Sequence, residues 1–177
     1  MWKTTLTKTE QNDMFWHVFG RAAALRDRGL YAEATEEALQ ALSLAGSDHV
    51  NRGVAQRELG LVAELQGQLA TAVSYYEAAI ASLPKSELAS LALFHAYLQW
   101  GKNEQAIDEA DRFTRVRFSQ DYYEIVSAGF GADVSEQYAK KVMGILARLQ
   151  SSVSGAPEPR EADSSAGSNQ EPGERSR

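Results

Sequence analysis

The sequence predicts an all-α protein, and three observations on the residues before Ser151 lead to that prediction. Ala, Leu, Glu, Gln and Arg dominate the composition, and all five are good helix formers. Pro84 is the only proline in this part of the chain. Apolar residues recur at intervals of three and four, as on one face of a helix, and no alternating segment competes with this pattern. We therefore expect seven or eight helices of about 10–20 residues, joined by short turns.

Polar residues mark where several of these helices should begin. Thr7 and Glu10 have the spacing of a capping box, and Ser86 precedes a long apolar-periodic stretch. The segment Asp-Val-Ser-Glu at residues 133–136 has the residue types that cap a final helix. Breaks between helices are expected at Gly29, Gly46–Asp48, Gly67, Pro84, Gly101 and Gly129–Gly131.

A repeat of about 34 residues relates the helices to one another. The best-defined copy contains Leu59, Gly60, Gly67, Ala72, Tyr76, Ala79 and Pro84. A partial copy follows 34 residues later at Leu93, Phe94, Gly101, Ala106, Ala110, Phe113 and Phe118. A looser copy lies 38 residues upstream at Ala22, Leu25, Gly29, Ala34, Ala38 and Ala41. Helix pairs repeated in this way bury their apolar faces by stacking on their neighbours.

These residues and their spacing resemble the tetratricopeptide-repeat (TPR) family over about 110 residues. The second repeat, about Gly53–Ser86, matches the family signature best, and the third, about Glu87–Gln120, departs from it at Phe94 and Phe118. The first repeat pairs helices of about Phe15–Arg28 and Tyr31–Ala45, and Tyr122–Gln150 is expected to be a degenerate fourth pair or a capping helix. The resemblance implies a right-handed superhelical array of antiparallel helix pairs, an α-solenoid.

Composition divides the chain into three parts. We expect a short N-terminal segment at residues 1–8, a helical-repeat domain at 9–150 and a disordered tail at 151–177. The tail is rich in Ser, Gly, Pro and Glu and has one branched apolar residue, Val153. Such a segment buries too little apolar surface to offset the entropy lost on ordering.

Composition also excludes several classes of function. The chain has no cysteine, and its three histidines lack metal-ligand spacing, so we expect neither a metal site nor a cofactor. No catalytic motif is present, and we predict that the protein is not an enzyme. The net charge of −6 argues against nucleic acid as a partner, and no apolar run is long enough to cross a membrane. We expect a cytoplasmic protein.

The resemblance implies that the first helices of the repeats line a concave groove. In TPR arrays the second, fifth, ninth and twelfth places of each repeat face this groove, and spacings of three and four put each set on one helical face. The corresponding residues are Trp16, Phe19, Ala23 and Arg26, then Val54, Arg57, Leu61 and Glu64, then Leu88, Leu91, His95 and Leu98. Most are apolar, and Phe19 and Ala23 stand where TPR domains that grip chaperone C-termini carry polar ligands.

The groove therefore predicts a non-catalytic adaptor, chaperone or assembly scaffold that binds a hydrophobic or amphipathic peptide or helix. The alternative to partner binding is that the groove is covered by the protein's own termini, by its C-terminal helix or by a second copy of the chain. A different hypothesis is an immunity or antitoxin-type inhibitor that blocks a basic partner protein through a convex acidic face. That face would comprise Glu33, Glu36 and Glu37 together with Glu104, Asp108, Glu109 and Asp111.

Overall fold

The computed structural model describes residues 7–129 and 135–154, and within these ranges it contains eight α-helices and no strand. The helices are α1 (Lys8–Asp27), α2 (Tyr31–Ala45), α3 (His49–Leu65), α4 (Leu69–Ser82), α5 (Glu87–Gln99), α6 (Asn103–Val116), α7 (Gln120–Ser127) and α8 (Glu136–Ser154). The all-α prediction is confirmed. The two helices predicted for each of the three repeats correspond to α1 with α2, α3 with α4, and α5 with α6.

The predicted caps at Thr7 and Ser86 are present. The Thr7 side chain accepts a hydrogen bond from the Glu10 amide at 3.2 Å, and the Glu10 carboxylate accepts one from the Thr7 amide at 2.8 Å. Because this capping box satisfies two amides of the first turn, α1 begins at Lys8 and not near Phe15. The Ser86 hydroxyl caps α5. Of the cap predicted at 133–136, residues 133 and 134 lie outside the described residues.

Glycine closes the first helix of each repeat. Gly29, Gly67 and Gly101 follow α1, α3 and α5, and their φ angles are 75°, 73° and 72°. Only glycine adopts this left-handed conformation without strain, so the chain reverses in the same way at all three turns. The first repeat is four residues longer than the second, and these four residues form the first turn of α3. Helix α3 therefore has 17 residues, whereas the equivalent helix of the third repeat, α5, has 13.

The helices pack in the order of the chain, which is the arrangement of a solenoid. Each of α1 to α5 contacts the next helix along the chain, and α3 also contacts α1 and α5. The second helices α2, α4 and α6 have no comparable contact with one another. The first helices are therefore closer together than the second helices, so the array curves with α1, α3 and α5 on its inner side.

The core is a series of small clusters and not one central cluster. Cluster members in the first repeat include Phe15, Val18 and Ala41, and those in the second include Tyr76 and Val73. The largest cluster lies at the C-terminal end and contains Phe94, Ile107, Ala110, Phe113, Tyr122, Ile145 and Leu149, with Ala106 and Val126. This distribution is typical of repeat arrays, in which each pair buries its apolar face against the next.

The pair α7 and α8 covers the last repeat. Ile145 and Leu149 of α8 are buried, and α8 packs against both α6 and α7. Arg148 reinforces the contact by donating a 2.6 Å hydrogen bond to Asp111 on α6. Helix α8 runs to Ser154, four residues into the segment predicted to be a tail. The rest of that segment, residues 155–177, lies outside the described residues.

Candidate functional site

The twelve residues that the sequence assigned to the groove lie on the first helices α1, α3 and α5. Trp16, Leu88 and His95 are exposed, the other nine are half-buried, and none is fully buried. This is the burial expected of residues that form a surface and also pack on the core beneath it. The assignment of these residues to partner binding remains a prediction.

Aromatic side chains form the N-terminal end of this surface. Trp16 is 46% exposed, and its ring lies edge-on to Phe19 with 5.6 Å between centroids. Both rings contact Phe15, which is fully buried between α1 and its neighbours. The buried Phe15 ring therefore fixes the position of an exposed aromatic surface on α1.

A cleft of about 470 Å³ lies at the C-terminal ends of the first helices. It is lined by residues from three helices: Arg26 on α1, Leu61, Glu64 and Leu65 on α3, and Gln99 on α5. Leu65 is 54% exposed although it is a large apolar side chain. We refer to these five residues as the groove cleft.

Two members of the groove cleft were not predicted from the sequence. Leu65 and Gln99 occupy the thirteenth place of their repeats, directly after the twelfth-place residues Glu64 and Leu98. Leu65 follows Leu61 by four residues, so helical periodicity alone was sufficient to place it on the same face.

The charged side chains of the groove cleft are bonded within the protein. Arg26 donates to Glu58 at 2.9 Å and to Asp27 at 2.9 and 3.1 Å. Glu64 accepts hydrogen bonds from the Tyr76 hydroxyl at 2.6 Å and from Gln99 at 2.7 Å. Burial raises the pKa of Tyr76 above its ordinary value, and the hydrogen bond to Glu64 raises it further. These bonds fix the orientation of both charged groups at the rim of the cleft.

Glu58 is a buried carboxylate beneath this surface. It lies on α3, is 1% exposed, and has one carboxylate oxygen without a hydrogen-bond partner among the described residues. Desolvation raises its pKa, and the guanidinium groups of Arg26 and Arg57 act against that rise. Glu58 therefore serves to hold Arg26 in place across the contact between the first and second repeats.

The acidic side chains on the second helices are mostly neutralised within the protein. Glu37 pairs with Arg21, Asp108 with Lys141, Glu109 with Arg112, and Asp111 with Arg115 and Arg148. Glu109 is also buried and accepts a hydrogen bond from Ser90. These pairs leave Glu33, Glu36 and Glu104 as the unpaired carboxylates of the predicted patch among the described residues. An inhibitor that works through this face remains an alternative prediction.

The geometry offers no arrangement for metal binding in the part of the chain that is described. No group of three or more His, Asp or Glu side chains lies together there in a way that could hold an ion. Among the same residues, no helix is both long enough and apolar enough to cross a membrane.

Comparison with known proteins agrees with this architecture. Residues 14–85 match the family model described as tetratricopeptide repeat. The chain is similar to the solved Sgt2 TPR domain from Aspergillus fumigatus, at 18% sequence identity and a TM-score of 0.52, with 86% of this chain and 91% of that chain covered. At this identity the likeness concerns the fold alone. No curated protein matches the chain.

Proposed function

We propose that this chain, whose residues 14–85 match the tetratricopeptide-repeat family and whose fold resembles that of a solved TPR domain, is a protein–protein interaction module that binds a hydrophobic or amphipathic segment of a partner protein in its concave groove. The proposal extends to an adaptor, chaperone or assembly scaffold in the cytoplasm. No step of this function requires a cofactor or a reaction.

One observation carries the proposal: large apolar side chains are exposed on the first helices, and one of them, Leu65, lines a cleft between these helices. Leu88 and Leu65 are 64% and 54% exposed, and Trp16 presents an aromatic surface on the same face. Exposed apolar patches on a protein surface commonly mark interaction sites, because covering them removes apolar area from water. Helices or extended peptides with apolar anchors are suited to such a groove.

A peptide-display experiment tests the proposal without knowledge of the partner. The full-length chain is used to select binders from a library of random 12-residue peptides on phage, and the affinity of the best peptide is measured by calorimetry. The groove variant carries Leu65→Glu and Leu88→Glu. The matched control carries Leu39→Glu and Val116→Glu, which change two exposed apolar residues on the second helices α2 and α6.

We expect the control to bind as the wild type does and the groove variant to bind at least about tenfold more weakly, a loss of about 1.4 kcal/mol. The reason is that an introduced carboxylate must be desolvated against the apolar anchor of the peptide. Equal loss in both variants, or selection of no peptide at all, would contradict binding in the groove. A wild-type chain that forms dimers which the groove variant cannot form would identify a second copy as the occupant.

A further inference from the structure

A second cleft, of about 360 Å³, lies between the second helices α4 and α6. It is open because both helices pack on α5 and make little contact with each other. Its floor is apolar and consists of Ile80 on α4 with Leu93 and Tyr97 on α5. Tyr97 follows the predicted groove residue His95 by two positions, which is about 200° around a helix. We call this the outer cleft, because it lies on the side of α5 away from the groove.

Glu77 is the carboxylate of the outer cleft that lacks a cationic partner. It lies on α4, is exposed, and accepts a 2.7 Å hydrogen bond from the Tyr97 hydroxyl. It forms no ion pair with any residue that the structure describes. Arg112 lines the opposite wall, but it donates to both oxygens of Glu109 at 2.6 and 2.7 Å and to the carbonyl of Pro84 at 3.1 Å. Its donors are therefore engaged away from Glu77.

The phenol of Tyr97 reports the sign of the charge in the outer cleft. Burial raises the pKa of Tyr97 above its ordinary value, and the hydrogen bond to Glu77 raises it further. The negative charges of Glu77, Glu109 and Asp108 act in the same direction. Although Glu109 and Asp108 have partners within the protein, the surroundings of this hydroxyl thus favour a cation over an anion.

The protein itself contains an example of a lysine held by these residue types. Lys141 on α8 pairs with Asp108 on α6, and its Nζ lies 4.8 Å from the centroid of the Tyr138 ring. The Tyr138 hydroxyl donates to the same carboxylate at 3.2 Å. In the outer cleft, Glu77 and Tyr97 repeat this combination of a carboxylate and a tyrosine that donates to it. Carboxylates and aromatic faces both attract an ammonium group.

We propose that the outer cleft binds a lysine side chain of a partner protein, whose ammonium group pairs with Glu77 while its aliphatic stem covers Ile80 and Tyr97. A lysine suits this arrangement because its four-carbon stem packs on apolar surface and its charged end stays at the rim. Ligand pockets have volumes of about 300–1,000 Å³, so this cleft has room for one long side chain. The site is separate from the groove, and the inference does not depend on the proposed function.

The test is an NMR titration of the isotope-labelled full-length chain with a blocked pentapeptide that has a central lysine flanked by alanines. The matched peptide has norleucine in place of lysine, which keeps the stem and removes the charge. The protein variant is Glu77→Gln, which retains an acceptor for the Tyr97 hydroxyl. The control variant is Glu36→Gln, which removes an exposed, unpaired carboxylate from the second helix of another repeat, α2. Circular dichroism establishes that both variants are folded.

We expect the lysine peptide, at millimolar concentration, to shift the amide signals of Glu77, Ile80 and Tyr97, and the norleucine peptide to shift them far less. Glu77→Gln should weaken the binding of the lysine peptide about three- to tenfold, as for a partly desolvated charged pair. Glu36→Gln should bind it as the wild type does. Added salt should weaken binding to the wild type, because it screens the charges.

Three results would overturn the inference: no shift with the lysine peptide, shifts spread over every exposed carboxylate, or equal affinity of wild type and Glu77→Gln. Equal binding of the lysine and norleucine peptides would also overturn it, since the cleft would then be an apolar site. A matched arginine peptide that binds much more tightly than the lysine peptide would overturn the choice of lysine and assign the cleft to arginine. None of these results bears on the groove, because the substitutions lie outside it.

Discussion

Gly60 and Tyr76 form a size-complementary contact between the two helices of the second repeat. A Cβ atom added at Gly60 would come within 2.5 Å of Tyr76 Cδ1. The equivalent places in the third repeat, 34 residues on, are Phe94 and Ala110, and all four residues are buried. The large side chain thus lies on α4 in one repeat and on α5 in the next. The departure of Phe94 from the family pattern is therefore compensated by Ala110.

A methyl group at Gly60 is expected to destabilise the fold. Gly60→Ala forces Tyr76 to move, but this ring is fully buried and its hydroxyl donates to Glu64. We expect a loss of about 1–3 kcal/mol, the range for overpacked cores, measured by urea unfolding. The control is Gly20→Ala on α1, where a Cβ meets nothing within 4 Å and helix propensity favours alanine. Equal urea midpoints for wild type and Gly60→Ala would refute the contact.

Exchanging the small and the large side chain between positions 60 and 76 of the second repeat should reproduce the arrangement of the third repeat. Gly60→Phe alone places a ring where Tyr76 already is, and we expect it to be strongly destabilised. Adding Tyr76→Ala should recover part of the loss, with a coupling energy of about 0.5–3 kcal/mol in a double-mutant cycle. Recovery will be incomplete, because Glu64 loses the hydrogen bond from Tyr76. Additive effects of the two changes would show that the helices do not meet at these positions.

The features that the sequence predicted well are those determined by residues close together in the chain. The cap at Thr7 depends on Glu10, three residues away, and the reversal at Gly67 depends on its own φ angle. The burial of Glu58 was not predicted, because a glutamate on a helix is usually exposed and its partner Arg26 is 32 residues away. Only the packing of α1 on α3 brings those two groups together.

The pH dependence of stability should report the burial of Glu58. Desolvation raises its folded-state pKa above the ordinary 4.5, despite Arg26 and Arg57, and Asp27 adds to the rise. The folded protein therefore binds the carboxyl proton of Glu58 more tightly than the unfolded chain does. The contribution of this group to the free energy of unfolding is complete below about pH 4.5 and is lost as the pH rises through the folded-state pKa. The free energy of unfolding of wild type, relative to Glu58→Gln, should therefore fall with increasing pH. A flat or rising difference in urea titrations between pH 4 and 8 would contradict the raised pKa.

Helix α8 is expected to stabilise the repeats that precede it. Ile145→Ala removes a fully buried side chain from the cluster shared by α6, α7 and α8, and should cost about 2–5 kcal/mol. Met143→Ala is the control on the same helix, because Met143 is 68% exposed; we expect a change within about 0.5 kcal/mol. Both are read from chemical unfolding of the full-length chain. If Ile145→Ala is as stable as wild type, α8 does not pack on α6.

For the proposed groove, the sequence predicted residue positions but no bonds. Helical spacing placed Leu61 and Glu64 on one face of α3, and both line the groove cleft. The hydrogen bond from Gln99 to Glu64 spans 35 residues, and no local pattern indicates it. Whether Arg57 is paired likewise depends on which carboxylates the neighbouring helices bring near it, and this follows only from the assembled array.

Leu61 and Leu65 allow a test of whether the groove is open in the free protein. Both line the groove cleft, but Leu61 is half-buried against the cluster containing Tyr76, whereas Leu65 is mostly exposed. Leu61→Glu should cost about 1–3 kcal/mol, because a carboxylate is placed partly inside an apolar cluster. Leu65→Glu should change stability by no more than about 0.5 kcal/mol.

The two substitutions should also differ in their response to acid. Protonation neutralises the carboxyl group introduced at Leu61, so the stability lost in Leu61→Glu should be partly regained as pH falls below about 5. Leu65→Glu should follow the wild-type profile in urea titrations. If Leu65→Glu were instead as destabilised as Leu61→Glu, Leu65 would be covered in the free protein by a further segment of this chain or by a second copy. In that case the apolar surface would be part of the resting structure, and a partner peptide could bind only by displacing what covers it.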